Sequence, residues 1–194
     1  MRQLVVKTVK EEHFCLDIGD FPIDKYFQKG IDKGKRMLIV GESPAENGWR
    51  KSGKAFYSPE GKLLTTGKRL NELLDIFDLD VSKCGFTELS KCFIGNNRKI
   101  LGSCCKKCWP IFEKQVDNGD FHLIITLGVI PAQIIGDILG EAIEMGILKE
   151  IEIRNRQIKL LPIYHPSPAN PFGREKNRKI FDRYDKEIRN LVLG

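Results

Sequence analysis

Three short segments carry the residue types that chemistry on a planar, charge-accepting substrate would need. The first is Gly41-Glu42-Ser43-Pro44-Ala45-Glu46-Asn47-Gly48. Gly41 permits a tight turn and close approach of a ligand. Glu42 and Glu46 are carboxylates able to orient or deprotonate a water. Backbone N–H groups around Ser43 and Ala45 offer an anion a cradle. The same acids could equally cap the next element in a solvated turn. The second segment, Gly53-Lys54-Ala55-Phe56-Tyr57-Ser58-Pro59-Glu60-Gly61, sets two adjacent aromatics in a Gly/Pro-rich loop. An aromatic face in a cleft stacks a planar base, although a loop Phe more often anchors its loop to the core. The third is Tyr164-His165-Pro166-Ser167-Pro168. His165 can donate to an oxygen that gains charge in a transition state, and the two prolines restrict where it points. Beyond it lie Arg174, Lys176, Arg178, Lys179 and Arg183, which suit either phosphates or the solvated face of a helix.

Each segment follows or flanks an apolar run. Met37-Leu38-Ile39-Val40 stops at Gly41, and His122-Leu123-Ile124-Ile125-Thr126-Leu127 stops at Gly128. Both read as buried strands. Leu63, Leu70, Leu73, Leu74 and Phe77 recur at helical spacing, predicting an amphipathic helix over 63–79. Residues 85–91 are strand-like, 103–116 and 130–139 read as helices, and 151–153 with 158–163 flank a polar Arg154-Asn155-Arg156 turn. One charged helix is expected from Glu175 to Leu191. Alternating strands and helices predict an α/β fold, a three-layer αβα sandwich around a mostly parallel sheet. Ligands of such sheets bind at the carboxyl ends of the strands. A single domain of 194 residues is expected, with 1–34 as an N-terminal extension and 35–194 as the core.

The chain carries 32 basic and 26 acidic residues, a net charge of +6 that permits a polyanionic partner without demanding one. Hydrophobic content of 41% with 30% charged residues reads as globular rather than disordered. No apolar run reaches membrane-span length and the N-terminus has no signal-peptide core, so a cytoplasmic location, or a nuclear one in a cell that has a nucleus, is expected; a monomer is also expected. Of six cysteines, five fall between positions 84 and 108. Without an export signal, this clustering suggests metal ligation or buried thiols before disulfides.

In order and spacing these segments resemble the uracil-DNA glycosylase superfamily, with the closest likeness to its family-four, iron–sulfur type. Gly41-Glu42-Ser43-Pro44 is similar to that family's Gly-Glu-Ala-Pro-Gly. Gly53-Lys54-Ala55-Phe56 followed by Gly61-Lys62-Leu63-Leu64 is similar to its Gly-Arg-Pro-Phe and Gly-x-Leu-Leu. Thr87-Glu88-Leu89-Ser90-Lys91-Cys92 with Asn97-Arg98 resembles its Thr-Asn-x-x-Lys-Cys and Asn-Arg segments. Cys108 follows Cys92 after fifteen residues, as in that family, and Leu127-Gly128 and Tyr164-His165-Pro166 complete the series.

The resemblance implies a DNA glycosylase of base excision repair that flips uracil or another deaminated base from DNA and hydrolyses its N-glycosidic bond. It implies Glu42 and His165 as catalytic residues, and Gly41, Ser43, Phe56 and Glu88 as base-binding ones. Ser167 and Arg174 would contact DNA. It also implies an iron–sulfur cluster with Cys15, Cys92 and Cys108 among its ligands, the fourth drawn from Cys84, Cys104, Cys105 or His13. A cluster-free domain, or zinc at Cys105-x-x-Cys108, are the alternatives. The chain departs from the family at position 88, where Glu replaces an Asn that reads the base. An ionised carboxylate accepts hydrogen bonds but donates none. A non-catalytic nucleic-acid or nucleobase binding module on the same fold, and a nucleotide-processing enzyme, are the other functional readings.

Overall fold

The computed structural model describes residues 22–45, 48–95 and 97–194. Its centre is a six-stranded sheet of order β1-β3-β2-β4-β6-β5. The strands are β1 (Phe27–Gln28), β2 (Met37–Gly41), β3 (Gly85–Glu88), β4 (Leu123–Leu127), β5 (Lys149–Ile153) and β6 (Arg156–Ile163). The β2–β3, β2–β4 and β4–β6 pairs are parallel, and the two outer pairs, β1–β3 and β5–β6, are antiparallel. The β5–β6 turn uses Arg154 and Asn155 at φ 48° and 62°, the left-handed pair that a two-residue hairpin requires.

Alternate residues of the central strands feed two cores. Met37, Ile39, Ile125, Leu161 and Ile163 pack on one face. The helices there are α2 (Thr65–Leu74), α5 (Gly173–Arg183) and α6 (Asp185–Leu193). Leu38, Val40, Ile124 and Leu160 pack on the other face. That face is covered by α3 (Leu101–Asp117) and α4 (Val129–Leu139). Strands buried on both faces explain the continuous apolar runs at 37–40 and 123–127. The three-layer α/β expectation holds. The last helix differs from its expectation: it is two helices, separated at Tyr184, which leaves helical geometry at φ −106°, ψ 18°. A short helix, α1 (Trp49–Ser52), lies within the loop expected over 42–60.

The chain after β2 first adds β3 on one side and then β4 on the other. This reversal leaves a crevice at the carboxyl ends of β2 and its neighbours. Gly41, Glu88, Leu127 and Ile163 end the four parallel strands there, and the register sets Gly41 directly opposite Glu88.

Beneath the end of β3 a cation is buried. Lys91 is 1% exposed. Its ammonium donates to the Glu88 carbonyl, to Thr87 Oγ1 at 2.6 Å and to Gln115 Oε1 at 2.7 Å. Three protons meet three acceptors, so the charge is hydrogen-bonded throughout. Gln115 passes the connection on, its Nε2 donating to the Ile23 carbonyl at 2.7 Å. Thr87 Oγ1 lies 2.9 Å from the Tyr26 carbonyl. The segment before β1 is thus tied to β3 and α3 through one ammonium.

Replacing Lys91 with Met keeps the volume and strands the acceptors. The expected loss is about 2–4 kcal/mol of unfolding free energy. Urea denaturation measures it, and an unchanged midpoint would show that the ammonium contributes no net stability.

Candidate active site

The cavity at the carboxyl ends of the strands has a volume of about 630 Å³. Glu42, Phe56, Glu88 and His165 line it, as do Gly41, Ser43 and Ser167. Four segments far apart in sequence therefore meet at one site.

The first wall leaves β2 at Gly41. The Leu89 N–H donates to the Gly41 carbonyl at 3.1 Å and the Ser90 N–H to the Glu42 carbonyl at 3.0 Å, so the loop's start continues the β2–β3 pairing. Glu42 forms an ion pair with Arg98 from beyond β3. Arg98 is the residue in this pair that residue-by-residue reading of the sequence left without a role. Its distance of 56 positions from Glu42 gave no local signal. Glu46 lies outside the described residues.

Phe56 is held differently. Its backbone is left-handed, φ 63°, a sparsely populated region for a bulky residue. The Leu64 N–H donates to its carbonyl at 2.8 Å, closing the turn that keeps it there. A side chain on Gly67 would meet Phe56 Cβ at 2.9 Å, so that glycine gives the aromatic its space. The ring packs edge-on against Phe86, with centroids 4.4 Å apart. The loop anchor and the aromatic wall are the same residue.

The opposite wall follows β6. Buried Asn177 of α5 accepts from the Tyr164 N–H at 2.8 Å and donates to the Tyr164 carbonyl at 2.7 Å. This pins the backbone one residue before His165. The Ser167 N–H donates to His165 Nδ1 at 3.2 Å, and Arg69 of α2 donates to the Ser167 carbonyl at 2.7 Å. With Nδ1 accepting, the proton of the neutral ring is on Nε2, which is left to donate. Surrounding protein lowers the His165 pKa from its ordinary value, which favours that neutral ring. A side chain on Gly128, at φ 99°, would stand 3.3 Å from His165 Cβ, so the end of β4 is also fitted to this histidine.

Glu88 forms the floor. It is 8% exposed, and a Cβ on Gly41 would fall 2.2 Å from its Oε2. The carboxyl thus occupies the space a side chain at 41 would need. Among the described residues no hydrogen bond reaches that carboxyl. Burial pushes its pKa up to about 8, against the pull of Lys91. Burial also lowers Lys91 itself, to about 7, opposed by the neighbouring Cys108, Glu88 and Cys105.

Arg174 stands apart from these four, on the surface, paired with Glu72 at 2.9 Å. Among the cysteines, Cys92, Cys104 and Cys105 pack in the core on the α3 face. The Lys91 N–H points at Cys108 Sγ, 3.2 Å away. Cys84 lies in the opposite core with its sulfur 3.7 Å from Met37 Sδ, which removes it from the candidates for a shared ligand set. Burial pushes its thiol up to about 12. Cys15 and His13 lie outside the described residues. Among the described residues no three Cys, His, Asp or Glu side chains are grouped to hold a metal ion. By themselves they do not fit a four-thiolate cluster.

The model of the uracil DNA glycosylase superfamily matches residues 28–189. The chain is 30% identical over 164 residues to a type-4 uracil-DNA glycosylase of Sulfurisphaera tokodaii, covering 81% of this chain and 70% of that protein. It is 31% identical over 138 residues to the type-4 uracil-DNA glycosylase of Saccharolobus solfataricus, covering 69% and 61%. It is 28% identical over 144 residues to that of Archaeoglobus fulgidus, covering 71% and 69%. The match spans both the sheet and every described wall of the cavity, and the chain belongs to the uracil DNA glycosylase superfamily.

Proposed function

We propose that this cavity receives a deaminated base extruded from DNA and that Glu42 and His165 assist hydrolysis of its N-glycosidic bond. The chain is a DNA glycosylase of base excision repair. The observation that carries the residue assignment is the convergence of a carboxylate, an aromatic ring and a neutral histidine on one cavity.

In the reaction the bond between C1′ and the base nitrogen breaks, its electron pair leaves with the base, and the sugar gains oxocarbenium character. Water then adds to C1′ and loses a proton. Phe56 stacks on the base. His165 Nε2–H donates to the base oxygen that gains negative charge, which lowers the barrier to departure. Glu42, oriented by Arg98, stabilises the sugar cation or takes the water's proton. Gly41 and Ser43 bring backbone close to the base, Glu88 meets its edge, and Ser167 and Arg174 contact the DNA strand. The enzyme acts as a cytoplasmic monomer. No described helix is long and apolar enough to cross a membrane.

The metal part of this proposal is an iron–sulfur cluster with Cys15, Cys92 and Cys108 among its ligands. An N–H aimed at Cys108 Sγ supports it, since ligating thiolates accept such bonds. No catalytic step depends on the cluster. Protein purified without oxygen is expected to contain iron that Cys92→Ser loses; iron-free wild-type protein would remove this part.

A second reading, a binding module without catalysis, is favoured by the engagement of Glu42 with Arg98, which occupies the carboxylate. Single-turnover base release separates the two. His165→Ala is expected to slow release by about 100- to 1000-fold, and Glu42→Gln by about 100-fold. Binding without release by the wild type, from uracil, hypoxanthine and xanthine oligonucleotides alike, would establish the module instead. Gly41→Ala forces the Glu88 carboxyl aside and is expected to cost about tenfold or more in release with the fold retained by circular dichroism; unchanged kinetics would mean that the carboxyl has no fixed place in the reaction.

A further inference from the structure

We propose that Glu88 reads the edge of the extruded base as a neutral carboxylic acid, its carbonyl oxygen accepting a ring N–H and its hydroxyl donating to the adjacent ring carbonyl. The substrate class is then a base that presents an N–H beside a carbonyl, as uracil and hypoxanthine do. This inference rests on the glycosylase reading.

The geometry places the group. Glu88 ends β3 on the same sheet face as Phe86, against whose ring Phe56 packs. Its carboxyl lies over Gly41, lines the cavity and has no hydrogen-bond partner among the described residues. The carboxyl oxygens face the cavity, so a base that enters it can supply the partners the protein does not. A neutral acid carries one donor and one acceptor side by side, the same pair that an amide offers. The ionised form carries acceptors only and sets its charge against the lone pairs of the ring carbonyl.

The surroundings favour the neutral form. Burial raises the Glu88 pKa to about 8, so the acid is protonated below that pH and ionised above it. Lys91, on the far side of the strand end, is the cation that opposes this. Glu42, across the floor, is paired with Arg98. Tyr26 is held above its ordinary value by burial, with Arg50 beside it. His165, on the opposite wall, is lowered by burial and is neutral across the alkaline range. Lys91 is therefore the one rival titration among these groups, because its own pKa is drawn to about 7 while it holds the Glu88 carbonyl.

The test uses the full chain, wild type and Glu88→Gln, from about pH 6 to about pH 9.5, a window that brackets both titrations. Glu88→Asn is the second variant, should the first not fold. One readout is single-turnover release of uracil or hypoxanthine from a single-stranded oligonucleotide. The other is fluorescence-anisotropy binding of that oligonucleotide with a 2′-fluoro sugar, whose electron withdrawal suppresses cleavage, relative to one with no deaminated base. Wild-type release and preference are expected to fall about tenfold per pH unit above about pH 8. Glu88→Gln, which keeps donor and acceptor at every pH, is expected to lose the part of the fall that begins near pH 8. Superimposable profiles overturn the proposal: a fall shared by both proteins belongs to another group, Lys91 or the ring N–H of the base itself, which also ionises in the alkaline range. Release by both proteins without that difference leaves the glycosylase reading intact and removes the role of Glu88. Preferential binding that weakens above about pH 8 in the wild type only, without release under any condition, keeps Glu88 as the reader and overturns the glycosylase. No preference for the deaminated base at any pH overturns the proposal.

Discussion

A buried ammonium organises the floor of this site. Lys91 is enclosed below the end of β3 and spends all three protons on Thr87, Gln115 and the Glu88 carbonyl. A charge removed from water survives only where its hydrogen bonds are complete. That requirement fixes the turn after β3, ties it to α3, and joins the segment before β1 to the sheet edge. The Glu88 side chain starts from this turn, so its position follows from a polar knot beneath it rather than from apolar packing around it.

The two walls are held by other means. Phe56 stands in a left-handed backbone conformation closed by a hydrogen bond from Leu64 and given room by Gly67. His165 is oriented from its own backbone: Asn177 clamps the residue before it, and the Ser167 N–H fixes its tautomer. Each wall is thereby set by groups from a helix packed on the sheet, α2 or α5. The cavity is an outcome of how those helices seat on one face, and the opposite face, with its cysteines, shapes the floor.

Much of this was legible in the sequence, for identifiable reasons. Strands buried on both sides appear as unbroken apolar runs, so Met37–Val40 and Leu123–Leu127 declared themselves. Phe56 and His165 stand out because they are residue types that turns do not otherwise need, and Gly41 because it stops an apolar run. What stayed hidden depends on distance. Strand β1 is two residues long and too short to show a period. The Arg98–Glu42 pair and the Arg69–Ser167 bond join positions that no local pattern connects. Lys91 was visible only as part of a motif, and its burial could not be read there, because burial is a property of the neighbours. The break at Tyr184 went unseen for a similar reason: the flanking residues keep one amphipathic pattern through it.

The contact between Gly41 and Glu88 has a consequence for how this sequence can change. The carboxyl fills the volume of the side chain that Gly41 lacks. The two positions therefore behave as one unit with an order of events built in. A shorter residue at 88 opens the space and makes a side chain at 41 admissible, whereas a side chain at 41 arriving first meets an occupied site. Substitutions here are expected to be coupled, with the route that starts at position 88 less costly than the one that starts at 41. A library that varies position 41 alone would record folded variants with reduced activity, and part of that loss would be recovered when position 88 varies with it.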